Sequence, residues 1–387
     1  MTRLERVLLV STAALSASNS VIFALIASLQ DEYGFSDVGL GIVAATGFAT
    51  SFLVQLLMSP LADRGHTKRL LQVGTLLSVV GNLVFATGGS LLQFSLGRAL
   101  VGAAFGCFAP AARALIASLA TDHAAQRLGR ISAAELAGFA VGPAVGGALA
   151  GPLGLRWPFI VFAASAVAAF AMLSTVRIDA VRVAGSAQRL AFDLLRNRQV
   201  LVAVLLCLSL ALPVGLYDAL WAKFLGDLGA AEWLVGLSLT TYAVPFVVLA
   251  SAGGRLADRR GAIPVALAGL WLVAPLTASY GLATVPLIPI ALGTAEAVAQ
   301  AAANPAAWAA LAAAAPPGRA SAAQGLAGAV MVGMNAVVAL VASAAYGGVG
   351  ARLLFVIAGA SIAALGTTTW LLHRSTPVAT ALSAKTA

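Results

Sequence analysis

The sequence is short of everything that covers a water-soluble surface. Only 10% of its 387 residues are charged, while 60% are hydrophobic. A soluble domain must present a polar exterior, so this composition excludes one. Cysteine is nearly absent. Cys107 and Cys207 both lie inside apolar runs, which excludes a disulfide framework and a thiolate metal cluster. The three histidines, His66, His123 and His373, all fall between or after the apolar runs. No nucleophile–base pair or metal cluster of an enzyme is visible, so no enzymatic activity is expected. The polar loops and tail are too short for the soluble signalling domain of a membrane sensor. The net charge of +9 would suggest a nucleic-acid partner in a soluble protein. Here the basic residues sit in loops on one side, so topology accounts for them and no nucleic acid is expected.

What remains is apolar helix. Mean hydropathy is +0.96, and runs of about 20 apolar residues, the length that crosses a bilayer, recur from Val7 to Leu372. They are too long for the alternating strands of a membrane barrel. Helices follow because every backbone N–H and C=O in lipid must be satisfied internally. The expected spans are 7–29, 39–61, 70–89, 91–117, 131–153 and 157–176, then 199–224, 231–256, 262–280, 286–311, 320–347 and 353–372. Gly88-Gly89-Ser90 marks the turn between the third and fourth. The first span is too long for a cleavable signal and has no small-x-small cleavage site.

Lys/Arg bias orients the chain. Arg3 and Arg6, Arg64/Lys68/Arg69, Arg127/Arg130, the stretch Arg177–Arg198, Arg255/Arg259/Arg260, Arg319 and the tail with Arg374 and Lys385 share one side. Asp31, Glu32, Asp37, Asp227 and Glu232 lie on the other, with Arg156 and Arg352. The expectation is a multi-pass protein of the cell (inner) membrane with both termini in the cytoplasm. Residues 1–176 and 199–372 form two six-helix bundles, 177–198 a solvated cytoplasmic linker, and 373–387 a cytoplasmic tail.

Leu61-Ala62-Asp63-Arg64 after the second span recurs as Leu256-Ala257-Asp258-Arg259 after the eighth, about half a chain later. A repeat at that period implies two halves of one fold. These loops resemble the major facilitator superfamily signature G-x-L-A-D-R-x-G-R-K/R. The second copy matches through Gly261; in the first, Ser59, His66 and Thr67 replace Gly, Gly and Arg. The resemblance implies an all-α membrane fold of twelve helices in two pseudo-symmetric six-helix bundles. It also implies a cytoplasmic charge latch of Asp63, Arg64, Asp258 and Arg259; by its depth along the fourth span, Arg113 lies towards the cytoplasm and within reach of Asp63. Physically, such an aspartate can pair with arginine or meet another helix's positive N-terminus.

Arg98 and Gly102 in the fourth span fit the family's R-x-x-x-G pattern. Arg98 either snorkels to the nearby interface or lines the cavity; the matching arginine in proton-coupled relatives is tied to proton transfer. In the fifth span Gly138, Gly142, Pro143, Gly146 and Gly147 complete G-x-x-x-G-P-x-x-G-G without a departure. Glycines spaced by four make a flat strip that lets another helix approach closely, and Pro143 bends the helix. This string resembles the antiporter motif of the superfamily's drug:proton antiporters.

Few polar groups fall at mid-membrane, where substrate and coupling ion meet in this kind of protein. Glu296, Gln300 and Asn304 stack on one face of the tenth span. Glu296 is either a proton carrier or an internal helix tie. Asp218, beside Tyr217 and Trp221, is either a second proton-coupling acid or part of an external rim. Asn19 and Gln55 are further cavity candidates with Gln300, Asn304 and Trp221. Drug:proton antiporters often carry an acid in the first helix, where this chain has Asn19. Glu135 is expected as a helix-end or latch charge. The whole reading is a monomeric, alternating-access exporter of small amphipathic, drug-like molecules, with the proton as coupling ion, membrane lipid around it and no bound cofactor. The alternatives are a metabolite symporter or facilitator, and a non-transporting sensor.

Overall fold

A computed structural model describes residues 1–35, 37–119, 123–178 and 191–375. A few side chains within the helices, those of Asp218, Glu232 and Trp233 among them, also lie outside the described residues. The chain runs α1 (Arg3–Tyr33), α2 (Asp37–Leu61), α3 (Thr67–Thr87), α4 (Leu91–Ser118), α5 (Ala124–Leu153) and α6 (Trp157–Ser174). Then follow α7 (Arg198–Asp227), α8 (Glu232–Arg260), α9 (Ala262–Ser279), α10 (Leu287–Ala314) and α11 (Ala320–Arg374).

α11 covers two expected spans. A straight rod of its 55 residues would reach about 80 Å, more than twice a hydrocarbon core. It turns back at Gly350 (φ 74°, ψ 160°). Its start lies at Asp63, its middle at Gly281 beside Arg352, and its end at Arg198. Two arms, 320–349 and 351–374, therefore complete twelve crossings among the described residues. Among the described residues ten stretches are long and apolar enough to cross a membrane; one, Ile42–Thr87, runs through most of α2 and all of α3. α10, with its polar stripe, is not among the ten.

The turns follow local chemistry. Between α3 and α4, Ser90 caps the helix by accepting from Gln93 N (3.4 Å), while Gly89 N donates back to Gln93 Oε1 (2.9 Å). The repeated loops both need a left-handed glycine, but its place shifts. After α8 it is Gly261 (φ 91°). After α2 it is Gly65 (φ 86°), within a wide turn over Ala62–His66. His66 can replace the motif glycine because its neighbour takes the positive φ.

Among the described residues three buried apolar cores organise the bundle. The largest joins both halves at the end where the basic loops lie: Leu8, Phe108 and Leu128 share it with Leu206, Trp308 and Leu326. Towards the opposite end it divides. One core, around Phe85, Phe94 and Phe159, belongs to the first half; the other, around Trp221, Tyr280 and Phe355, belongs to the second. The halves are joined at the basic end and parted towards the other.

Two expectations change here. α5 starts at Ala124 rather than 131, because its first turns are polar and amphipathic, so Glu135 is not at a helix end. Of the linker expected to be solvated, Ala191–Arg196 forms a short helical turn with Ala191 and Leu194 buried. Asp193 accepts two bonds from the Arg319 guanidinium (3.0 Å each). The rest of that linker, 179–190, and the tail 376–387 lie outside the described residues.

The glycine strip of α5 faces α1. A Cβ at Gly138 would collide with the Ala13 carbonyl, and one at Gly142 with Ser20 Oγ and the Ala17 carbonyl; at Gly146 it would sit 3.0 Å from Val21. Gly147, although part of the motif, has nothing within 4 Å. Overpacking of this kind costs about 1–3 kcal/mol. Gly142→Ala is therefore expected to lower the unfolding temperature of the purified protein measurably, and Gly147→Ala to leave it unchanged. Equal behaviour of the two variants in a thermal-shift assay would refute the assigned contact.

Candidate functional site

The basic end is closed by two equivalent contacts. Asp63 accepts from the backbone amides of Ser321 and Ala322 (2.8 Å each), the first turn of α11. Asp258 accepts from those of Ala125 (2.9 Å) and Gln126 (3.0 Å), the first turn of α5. Each aspartate thus meets orphan N–H groups of the other half, where the helix dipole favours negative charge. Close packing surrounds both pairs. Gly129 and Gly254 bring α5 and α8 together, and Gly325 and Gly328 admit Ser59 and Gln55 of α2.

Arg113 does not reach Asp63. It pairs with Glu135 (2.7 Å) and lies 4.2 Å over the Trp308 ring of α10, so it bridges the halves deeper in. Position along a helix does not reveal rotation about its axis, and that rotation turned Arg113 towards α5 and α10. Ser132 of α5 and Asn304 of α10 add a bond of 3.3 Å in the same layer. Glu5, 1% exposed, holds Arg130 at 2.6 Å; neither was singled out as a pair by sequence, since 125 positions separate them. Arg259 is exposed beside Asp258, in a small cleft with His123, Gln126 and Arg255.

Further in, among the described residues, Arg98 is buried in the first half and Glu296 in the second. Arg98, 1% exposed, does not snorkel. Its Nη1 donates to the backbone oxygen (2.9 Å) and Oδ1 (2.8 Å) of Asn19. Phe23 and Phe48 cover the guanidinium at 5.1 and 5.7 Å. It therefore lies behind the aromatic wall rather than lining a cavity directly.

Glu296, 0% exposed, sits about 14 Å along α10, close to mid-bilayer. Its Oε2 accepts from Tyr280 (2.6 Å), Tyr217 (2.9 Å) and Thr277 (3.3 Å), and its Oε1 from Gln300 (2.9 Å). The polar stripe on α10 thus splits: Gln300 serves Glu296, and Asn304 faces α5. Trp221 is buried, its indole N–H donating to Ser238 Oγ (2.8 Å). Gln55 is buried too, bonded to Ser51 (3.1 Å) and seated against α11. The side chain of Asp218 lies outside the described residues. At the C-terminal end of α7, Asp227 accepts from Tyr346 (2.8 Å), which holds its carboxyl below the usual carboxylate range.

The two halves are thus joined at one end, with Arg98 buried in one half and Glu296 in the other. The Major Facilitator Superfamily model matches residues 8–221, more than half of the chain. The chain belongs to the Major Facilitator Superfamily. It is a multi-pass membrane protein. It is similar to the quinolone resistance protein NorA of Staphylococcus aureus (strain MSSA476), 32% identical over 205 residues, 51% of this chain and 52% of that one. It is also similar to multidrug resistance protein 2 of Bacillus subtilis (strain 168), 36% identical over 129 residues, 32% of each. The chain thus spans a third to a half of the length of these curated relatives. The fold matches the human organic anion transporter MFSD10 (TETRAN) at a TM-score of 0.76 and 18% identity, over 96% of this chain and 98% of that one.

A hydrogen bond to a charged group contributes about 1.5–3 kcal/mol. Asp63→Asn and Asp258→Asn are each expected to open the basic end in a larger fraction of molecules, and the double variant more than either. Spin-label distances between α2 and α11 at that end report this directly. Distance distributions unchanged in the double variant would rule out the carboxylate–amide closure.

Proposed function

We propose that this transporter exports small amphipathic compounds in exchange for protons, with Glu296 as the proton carrier. The observation that carries the reading is a carboxyl group buried at mid-bilayer in a shell of neutral donors. Among the described residues no lysine or arginine pairs with it, so it is not consumed in a structural ion pair. Intramembrane acids of this kind mark ion pathways. The match to NorA and to multidrug resistance protein 2, and the complete glycine–proline string in α5, favour export over uptake.

In this reading the protein sits in the cell membrane with the basic end and both termini in the cytoplasm. Residues 1–176 and 199–372 rock as two bundles, and a single chain suffices for the cycle. The joined basic end then corresponds to a state open to the outside, in which Glu296 loads a proton. Release of that proton to the cytoplasm, with substrate taking its place, returns the halves. Arg98, tied to the neutral Asn19 instead of an acid, holds a fixed charge and leaves proton exchange to the second half. Asp218, one residue beyond Tyr217, is the second acid to test.

The experiment is proton flux in proteoliposomes driven by a lipophilic cationic dye. Wild type is expected to move dye against an opposing proton gradient. Glu296→Gln is expected to bind dye but lose gradient-driven transport, and Asp218→Asn to retain partial coupling. Dye accumulating together with protons would overturn the export reading, and unaltered coupling in Glu296→Gln would overturn the carrier assignment.

A further inference from the structure

The environment of Glu296 contains a feature that its burial alone does not require. Three oxygens stand mutually within hydrogen-bond reach: Tyr217 Oη, Tyr280 Oη and Glu296 Oε2. Tyr280 lies 2.6 Å and Tyr217 2.9 Å from the carboxyl oxygen, and the two phenol oxygens contact each other closely. Three oxygen–oxygen contacts need three hydrogens. The two phenols supply two. An ionised Glu296 would leave one contact with no hydrogen, two lone pairs facing each other in a dry site. A protonated Glu296 supplies the third, and each of the three contacts then holds one hydrogen.

We propose that Tyr217 and Tyr280 are positioning residues that form, with the protonated carboxyl of Glu296, a closed three-oxygen ring that stores the coupling proton. This rests on the proposed role of Glu296. The ring is held from every side. Tyr280 packs edge-on against Phe355 of the second arm of α11 (5.5 Å), and Tyr217 packs against Tyr242 of α8 (5.1 Å) and Trp221 (4.7 Å). Thr277 and Gln300 are the other groups that face the carboxyl, and both are neutral.

The ring also identifies the way in. Tyr280, Thr277 and Gln300 are all buried, whereas Tyr217 is only partly so. Tyr217 is the member whose withdrawal opens the site. When it leaves, the Oε2–H bond breaks, the proton passes to incoming water, and the carboxylate keeps its donors from Tyr280, Thr277 and Gln300. Adjacent Asp218 moves with the same turn of α7, which ties ring opening to helix motion.

The test separates this arrangement from simple donation. If the phenols merely donate to an anion, removing one weakens the anion, and protonation of Glu296 persists to higher pH. If they close a ring around the acid, removing one relieves the empty contact in the anion, and protonation is lost at lower pH. The measurement is an infrared pH titration of the reconstituted protein. It follows the protonated-carboxyl C=O band that Glu296→Gln abolishes. Tyr217→Phe and Tyr280→Phe, both of which keep the ring's bulk, are each expected to shift the midpoint to lower pH by about one unit, tenfold in proton affinity. An unmoved or higher midpoint in either variant, or a wild type without the band, overturns the proposal. Loss of the transport reading would show differently: Glu296→Gln would keep proton-coupled flux while the infrared shifts stood.

Discussion

Two aspartates, one from each copy of a repeated loop, hold the two halves of this transporter together at one end. Both oxygens of each carboxylate accept from backbone amides at the start of a helix in the opposite half. These amides have no partner within their own helix, and the carboxylate would otherwise be a charge buried at an interface. Each need satisfies the other. Four charge-assisted bonds of about 1.5–3 kcal/mol each are comparable with the roughly 5.5 kcal/mol that carries a two-state equilibrium from one side to the other. The shared apolar core, the glycine contacts between α5 and α8, and the Arg113–Trp308 stack all lie on the same side of the molecule. The parting of the cores towards the other end follows from where the carboxylates sit.

Within that frame the halves carry unlike charges handled in unlike ways. Arg98 is stabilised by the two oxygens of Asn19 and by aromatic faces, so its charge is shielded without being neutralised. Glu296 is surrounded by neutral donors on two helices of its own half and by the end of a third. A charge tied to neutral dipoles keeps the freedom to change state, which an ion pair would remove. In the proposed cycle the first half thus carries a permanent charge and the second a changeable one.

Much of this was legible in the sequence because it depends on local properties. Runs of apolar residues marked the crossings, since each helix must be largely apolar over its own length, although the polar stripe makes α10 the weakest of them. The repeated Leu-Ala-Asp-Arg marked the joined end, and the spacing of Gly138, Gly142 and Gly146 marked a helix-contact face. The failures share a cause as well. The polar first turns of α5 look like a loop to a hydropathy reading, although an amphipathic helix can extend beyond the membrane. Arg113 was assigned by depth along α4, yet its partner was decided by rotation about the axis. Ser59 and His66 depart from the signature in the first loop, where Gly65 supplies the turn instead.

By itself, the sequence determined that the chain crosses a membrane many times, that its halves repeat, and which few polar groups are buried there. Those conclusions follow from burial cost and backbone satisfaction, which act residue by residue along one helix. Only the tertiary structure decided what each buried polar group meets. Asn19 finds Arg98 across 79 positions, Asp63 finds Ser321 across 258, and Tyr217 finds Glu296 across 79. Such partners are chosen by helix rotation and crossing angle, which the packing of all the helices sets together. The scarcity of charge seen at the outset therefore left each buried charge conspicuous in the sequence, and packing gave each one its partner.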